Sequence, residues 1–237
     1  MSKKSKSKQS IGEQSTPNAL HVPPDARPAG RWRVLIASGV ALLLVIVVGT
    51  FLYAQSSSPA SRPGLASLHA PTLGEPNARV HIVEFLDPAC ETCATFYPLV
   101  KQMLAANPGK IRLSIRHVPF HKGSGQVVAL LESSRKQDKY WQTLERLLAT
   151  QELWVINHVA DPERARRVLA GMGLNVDRLE ADMKAAEVEQ RMALDRNDAA
   201  QLKVTKTPEY FVNGRQMQTF GRQQLERLVG DELKRAY

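Results

Sequence analysis

Apolar and polar positions along this chain change rhythm several times, and each change marks a boundary. Val34 to Ala54 is an apolar run of 21 residues with neither charge nor proline. As a helix rising about 1.5 Å per residue, such a run covers the ~30 Å hydrocarbon layer of a bilayer. Residues 55–77, rich in Ser, Pro and Gly, read as a flexible tether, and residues 1–33 as a disordered basic leader. The folded part is expected over 78–237. Arg79 to Leu86 (RVHIVEFL) has the composition of a central strand buried on both faces. Phe96, Leu99, Val100, Met103 and Leu104 then recur at helical spacing until Asn107-Pro108-Gly109, with Pro98 inside the helix. Ile111, Leu113 and Ile115 alternate with Arg112, Ser114 and Arg116, which predicts a second strand. From Gly125 to about Leu202 the pattern is helical almost throughout, with Gly171 and Gly173 as helix stops. Tyr210 to Val212, the Asn213-Gly214 pair and Arg215 to Phe220 predict a hairpin with a type I′ turn. Leu225, Leu228, Val229 and Leu233 complete an amphipathic helix. Strand, helix, strand, helical block, hairpin and helix together predict an α/β domain.

Charge changes the picture less than its total suggests. The formal net charge is +9, but the first 33 residues carry seven basic side chains against two acidic ones. The rest of the chain is close to balanced, so a nucleic-acid groove is not expected. The basic residues instead flank the apolar run on its N-terminal side, which predicts a cytoplasmic N-terminus and a folded domain outside the cytoplasm. An uncleaved single-pass anchor is favoured over a cleaved signal peptide, whose apolar core is about 7–15 residues.

The chemistry concentrates at Cys90-Glu91-Thr92-Cys93, which holds both cysteines of the chain. Two thiols at this spacing at a helix start close a small disulfide ring. The orphan N–H groups and positive dipole end there favour a thiolate on the leading sulfur. Two buried thiols that merely lie close are the bland alternative. Glu84, six residues earlier, falls on the same strand face as Val80, Ile82 and Leu86, a carboxylate on an apolar face. It reads either as a sheet-end acid reaching solvent or as a buried proton acceptor beneath the cysteines, and the second is favoured. Pro208 opens the later strand without an N–H, either as an edge device or as a cis peptide leaving the Thr207 backbone free to pair with a peptide.

With these marks the chain resembles the thioredoxin superfamily, and within it the DsbA-like bacterial disulfide oxidoreductases, over about residues 72–237. The resemblance rests on Gly74-Glu75-Pro76-Asn77-Ala78 leading into VHIVEF, the strand, C-x-x-C, helix junction, Glu84, Pro98 and Thr207-Pro208 before YFVNG. It implies a thioredoxin-like fold with an inserted helical subdomain at about 125–202, here preceded by one transmembrane helix. It implies Cys90 as nucleophile, Cys93 as resolving thiol, Glu84 as the acid that moves the Cys93 proton, and Pro208 as a cis-proline lining the substrate groove with Thr207. Glu91 and Thr92 would tune the potential; with a carboxylate and no histidine there, a weaker oxidant is expected. The expected partners are protein thiols or disulfides and a membrane protein that resets the dithiol. No cofactor beyond the Cys90–Cys93 disulfide, no metal and a monomeric state are expected. The expected location is the bacterial inner membrane, with the domain on the periplasmic or extracytoplasmic side. Two alternatives stand beside this reading: copper or zinc delivery with His117 or His121 as a third ligand, and a noncatalytic peptide-binding chaperone.

Overall fold

The computed structural model describes residues 42–50, 65 and 67–237. Residues 42–50 are helical with exposed apolar side chains. Among the described residues no helix is long and apolar enough to cross a membrane. The remainder of the expected span, the leader 1–33 and residues 55–64 and 66 of the expected tether lie outside the described residues.

The C-terminal unit is organised by β2 (Val80–Leu86), whose residues are buried except for partly covered His81. It pairs in parallel with β3 (Ile111–His117) and antiparallel with β6 (Glu209–Val212). At the outer edges run β1 (Thr72–Gly74) and β7 (Arg215–Gln216), giving the order β1-β3-β2-β6-β7. Strand alternation divides the core. Val80, Ile82 and Leu86 pack with α1 (Glu91–Ala106) and α7 (Arg222–Ala236), while Val83 and Phe85 join Val118, Ala199, Val204 and Phe211 on the other face.

β1 corrects the expected tether. Residues 67–77 belong to the fold: Thr72, Leu73 and Gly74 pair with Ser114, Leu113 and Arg112. Three residues show too little alternation to announce a strand. Gly74 is required there, since its φ is +100° and a Cβ would meet the Ile111 carbonyl oxygen at 2.6 Å. At the other end β7 stops at Gln216, well short of the expected Phe220, although Met217 still donates its N–H to Tyr210. The Asn213-Gly214 turn has both φ angles positive, at 46° and 80°, as the pair predicts.

The helical insertion comprises α2 (Ser124–Ser134), α3 (Tyr140–Ala149), α4 (Pro162–Val168), α5 (Val176–Met183) and α6 (Ala186–Gln201). Asp161 caps α4 at the Arg164 N–H, ahead of Pro162, and Asn175 caps α5 at the Arg178 N–H. Between α3 and α4 lies an unexpected hairpin, β4 (Val155–Ile156) with β5 (Val159–Ala160). Its turn residues Asn157 and His158 have φ of 49° and 62°. Without the Asn-Gly signal, and with two-residue strands, it leaves no pattern inside a helical stretch.

Candidate active site

The site forms where β2 ends and α1 begins. Cys90 is the N-cap of α1, with extended backbone angles and no side-chain hydrogen bond to the first turn. The N–H groups of that turn therefore remain available to a charged sulfur. Cys90 is 7% exposed and Cys93, one turn in, is fully buried; both are free thiols. The Cys90 Sγ lies 3.3 Å from the Thr207 carbonyl oxygen, and the Thr207-Pro208 peptide is cis.

The two thiols are pushed apart electrostatically. Cys90 is held at about 5, chiefly because the Cys93 thiol donates to its sulfur. Burial opposes this, and the Cys93 backbone N–H, the Thr207 hydroxyl and the Thr92 backbone N–H add to it. Cys93 rises well above the ordinary thiol range through burial, through its hydrogen bond to Cys90 and through the charges of Glu84 and Cys90. Glu84 is fully buried beneath them, and burial raises it to about 8. Neither of its oxygens makes a hydrogen bond. The Tyr210 hydroxyl, on the cross-strand neighbour, offsets part of the rise without reaching bonding geometry, and the Cys90 charge adds to it.

The structure thus gathers Cys90, Cys93, Glu84, Thr207 and Pro208. It does not bring the Glu91 carboxylate to the sulfurs. That side chain is 72% exposed and faces His158 Nδ1 at 4.0 Å, and the leading causes of the Cys90 shift are other groups. Thr92 acts through its backbone N–H. The expected weakening of the thiolate by Glu91 therefore has no geometric support: the first helical side chain points outward while the N–H groups point back at the cap. The two histidines considered as metal ligands are engaged elsewhere. His117 Nε2 lies 2.8 Å from the Tyr140 hydroxyl, and His121 Nδ1 lies 2.7 Å from Asp87.

Asp87 is the residue that sequence reasoning missed. Fully buried three positions before Cys90, it accepts from the N–H groups of Ala89, Phe120 and His121, from the His121 ring and from the Ser124 hydroxyl. Its own carbonyl accepts the Cys90 N–H at 3.0 Å. It fixes the approach to Cys90 and ties the start of α2 to it. A lone polar residue after an apolar strand was the available signal, but one such residue is an ordinary strand end.

A family model described as Thioredoxin matches residues 67–231. The chain belongs to the thioredoxin family. The chain is similar to a thioredoxin-like oxidoreductase from Silicibacter pomeroyi, to which it is 27% identical. That likeness has a TM-score of 0.65 and covers 75% of this chain and 99% of the other. The "Probable disulfide bond formation protein D" of Bacillus cereus is 26% identical over 76% of this chain and 88% of its own length. A Na(+)/H(+) antiporter NhaA from Herminiimonas arsenicoxydans is 26% identical over 61% of this chain, but the match spans 22% of that relative. The Bacillus relative is named for disulfide bond formation, and with the oxidoreductase from Silicibacter pomeroyi it supports the expected enzyme class, a thiol:disulfide oxidoreductase. The expected thioredoxin-like fold is met, with the helices of the insertion between β3 and β6.

Proposed function

We propose that the chain is a DsbA-like thiol:disulfide oxidoreductase that donates the Cys90–Cys93 disulfide to protein substrates outside the cytoplasm, held to the bacterial inner membrane by Val34–Ala54. The observation that carries this reading is Cys90 at an uncapped helix start, its sulfur stabilised by the Cys93 thiol and by first-turn N–H groups. A disulfide is a strong oxidant when its reduced form is stable, and a thiolate at about 5 stabilises the reduced form at neutral pH.

In the oxidising turn a substrate thiolate attacks Cys90 Sγ, the Cys90–Cys93 bond breaks, and Cys93 departs with the electron pair. Buried Glu84 in its protonated form supplies the proton that lets Cys93 leave as a thiol. A second substrate thiolate then attacks the substrate sulfur of the mixed disulfide and releases Cys90 as thiolate. The substrate loses two electrons and the dithiol gains them, so no cofactor is called for. The Thr207 backbone, beside the Cys90 sulfur, pairs with the substrate main chain. A membrane redox partner reoxidises the pair, and the chain acts as a monomer.

Trapping tests this reading. A Cys93→Ala variant accumulates mixed disulfides with envelope proteins, because the resolving thiol is gone, and Cys90→Ala traps none. Equal trapping by both variants, or by neither, overturns it.

A further inference from the structure

One cavity among the described residues lies away from the cysteines. It has a volume of about 1020 Å³ and opens on the sheet face of His81 and Val83, where β2 and β3 begin. Cys90 follows the opposite end of β2. Polar groups line part of it: the Thr72 and Ser114 hydroxyls lie 2.6 Å apart, and His81 Nε2 lies 2.8 Å from the Ser114 hydroxyl. Arg79, Arg112, Arg215 and Arg235 surround it against a single carboxylate, Glu232. That carboxylate is engaged by Arg215 at 2.7 Å and Arg235 at 2.8 Å. Among the described residues no carboxylate pairs with the other two arginines. Arg79 lies over the Tyr237 ring at 4.0 Å, and the buried Nε of Arg112 has no hydrogen-bond partner. The excess charge at the cavity is cationic, so its occupant is anionic.

The wall of the cavity points to the source of that anion. It includes Leu65 and Leu68, and Leu68 is fully exposed. Leu65 lies eleven positions after Ala54, where the apolar run ends. Eleven residues reach about 40 Å at full extension. That length of chain lets the cavity reach the membrane surface if Val34–Ala54 spans the bilayer, and an exposed leucine in a wall shared with two arginines that pair with no carboxylate suits a headgroup layer.

We propose that this cavity binds the headgroup of an anionic phospholipid through Arg79 and Arg112, seating the domain on the bilayer with the redox pair at the far end of the strands, turned toward soluble substrates. The proposal rests on the anchor reading. Two arginines make a contact that releases readily, each adding roughly fivefold to affinity for an anionic surface, so the domain can still turn its redox end to a membrane partner.

The test uses the full chain in nanodiscs of phosphatidylcholine alone and with one-third phosphatidylglycerol, read by hydrogen exchange. Exchange at residues 67–73 and 111–115 slows several-fold in the anionic discs, and the slowing disappears in an Arg79→Gln/Arg112→Gln variant that keeps its disulfide exchange activity. Equal exchange in both discs, or slowing that survives the double variant, overturns the proposal. Equal slowing by inorganic phosphate in neutral discs assigns a free anion instead of a lipid and also overturns it. If the variant loses its fold, Arg112→Lys alone, which keeps the charge, must retain the slowing. Retention in the discs after an alkaline carbonate wash reports on the anchor separately. A chain that washes off refutes the anchor reading, and hydrogen exchange at residues 67–73 and 111–115 with added anionic and neutral vesicles, compared between the parent and the Arg79→Gln/Arg112→Gln variant, still decides for or against the cavity.

Discussion

Glu84 and Cys90 pull the pH dependence of the reduced protein in opposite directions. Glu84 is raised from 4.5 to about 8, so the folded state holds a proton that the unfolded chain has lost, and stability falls as pH rises through that window. Cys90 is lowered from 9.0 to about 5, so its contribution is present above the unfolded value and is lost as pH falls toward 5. Between about 5 and 8 the two slopes nearly cancel. Glu84→Gln removes one of them: the reduced variant gains on the order of 3 kcal/mol over the parent at pH 7, little at pH 4, and its stability climbs with pH. Urea titrations of the reduced proteins across pH 4–8 check this; a variant no more stable at pH 7 would sink the account of Glu84 as a buried acid. Glu91 gives the contrasting case. Its outward position and exposure predict that Glu91→His moves the reduction potential by ~10 mV or less, measured against glutathione, whereas a carboxylate held against the sulfur would give tens of millivolts.

At the scale of elements, the insertion shares the sheet's apolar core, and buried charge adds a tie between α6 and β3. Arg116, fully buried on β3, donates to Asp195 and Asp198 of α6 and lies beneath the Phe85 ring, with 5.5 Å from guanidinium to centroid. Asp195 also accepts the His117 N–H and faces His69 Nε2 at 2.7 Å. Removing Asp195 leaves a buried guanidinium short of a partner, so Asp195→Ala costs about 3–5 kcal/mol by urea denaturation. A loss below 1 kcal/mol would mean that Asp198 suffices. Asp87 joins elements in the same way, and Asp87→Asn, which strands donors converging on one carboxylate, costs about 2 kcal/mol. Thermal melts of the reduced variant test it. These ties mark the limit of what the sequence made legible. The β2 run, the α1 stripe and the Asn213-Gly214 turn each carry their own periodicity or turn chemistry, and the structure has them nearly where expected. Glu84 and Thr207-Pro208 were legible because each breaks a local pattern. Asp87, Asp195 and Arg116 break none. Their partners lie tens of positions away, and an aspartate facing a long-range donor looks in sequence like one facing water. The β1 strand and the β4–β5 hairpin were missed because two or three residues are too few for alternation to register.

For the whole molecule, given the proposed anchor, the decisive question is which side of the membrane the redox pair occupies, because a pair whose thiolate lies at about 5 serves as an oxidant only where a partner keeps restoring its disulfide. The argument for the outside rests on charge asymmetry. Lys3, Lys4, Lys6, Lys8, Arg27, Arg31 and Arg33 precede the apolar run, and only Arg62 lies between its end and Arg79. Basic residues near a span are retained on the cytoplasmic side, so the proposed orientation follows from them and not from the folded domain. Alkaline phosphatase fused after Tyr237 is therefore active in cells, and the fusion resists alkaline carbonate extraction. Replacing the seven leader cations by glutamine removes the bias and lowers phosphatase activity several-fold while the amount of fusion protein in the membrane stays the same. An inactive parent fusion would place the dithiol in the cytoplasm and end the case for disulfide donation. A shortened, extractable form would replace the anchor by a cleaved signal and leave the chemistry of Cys90 untouched.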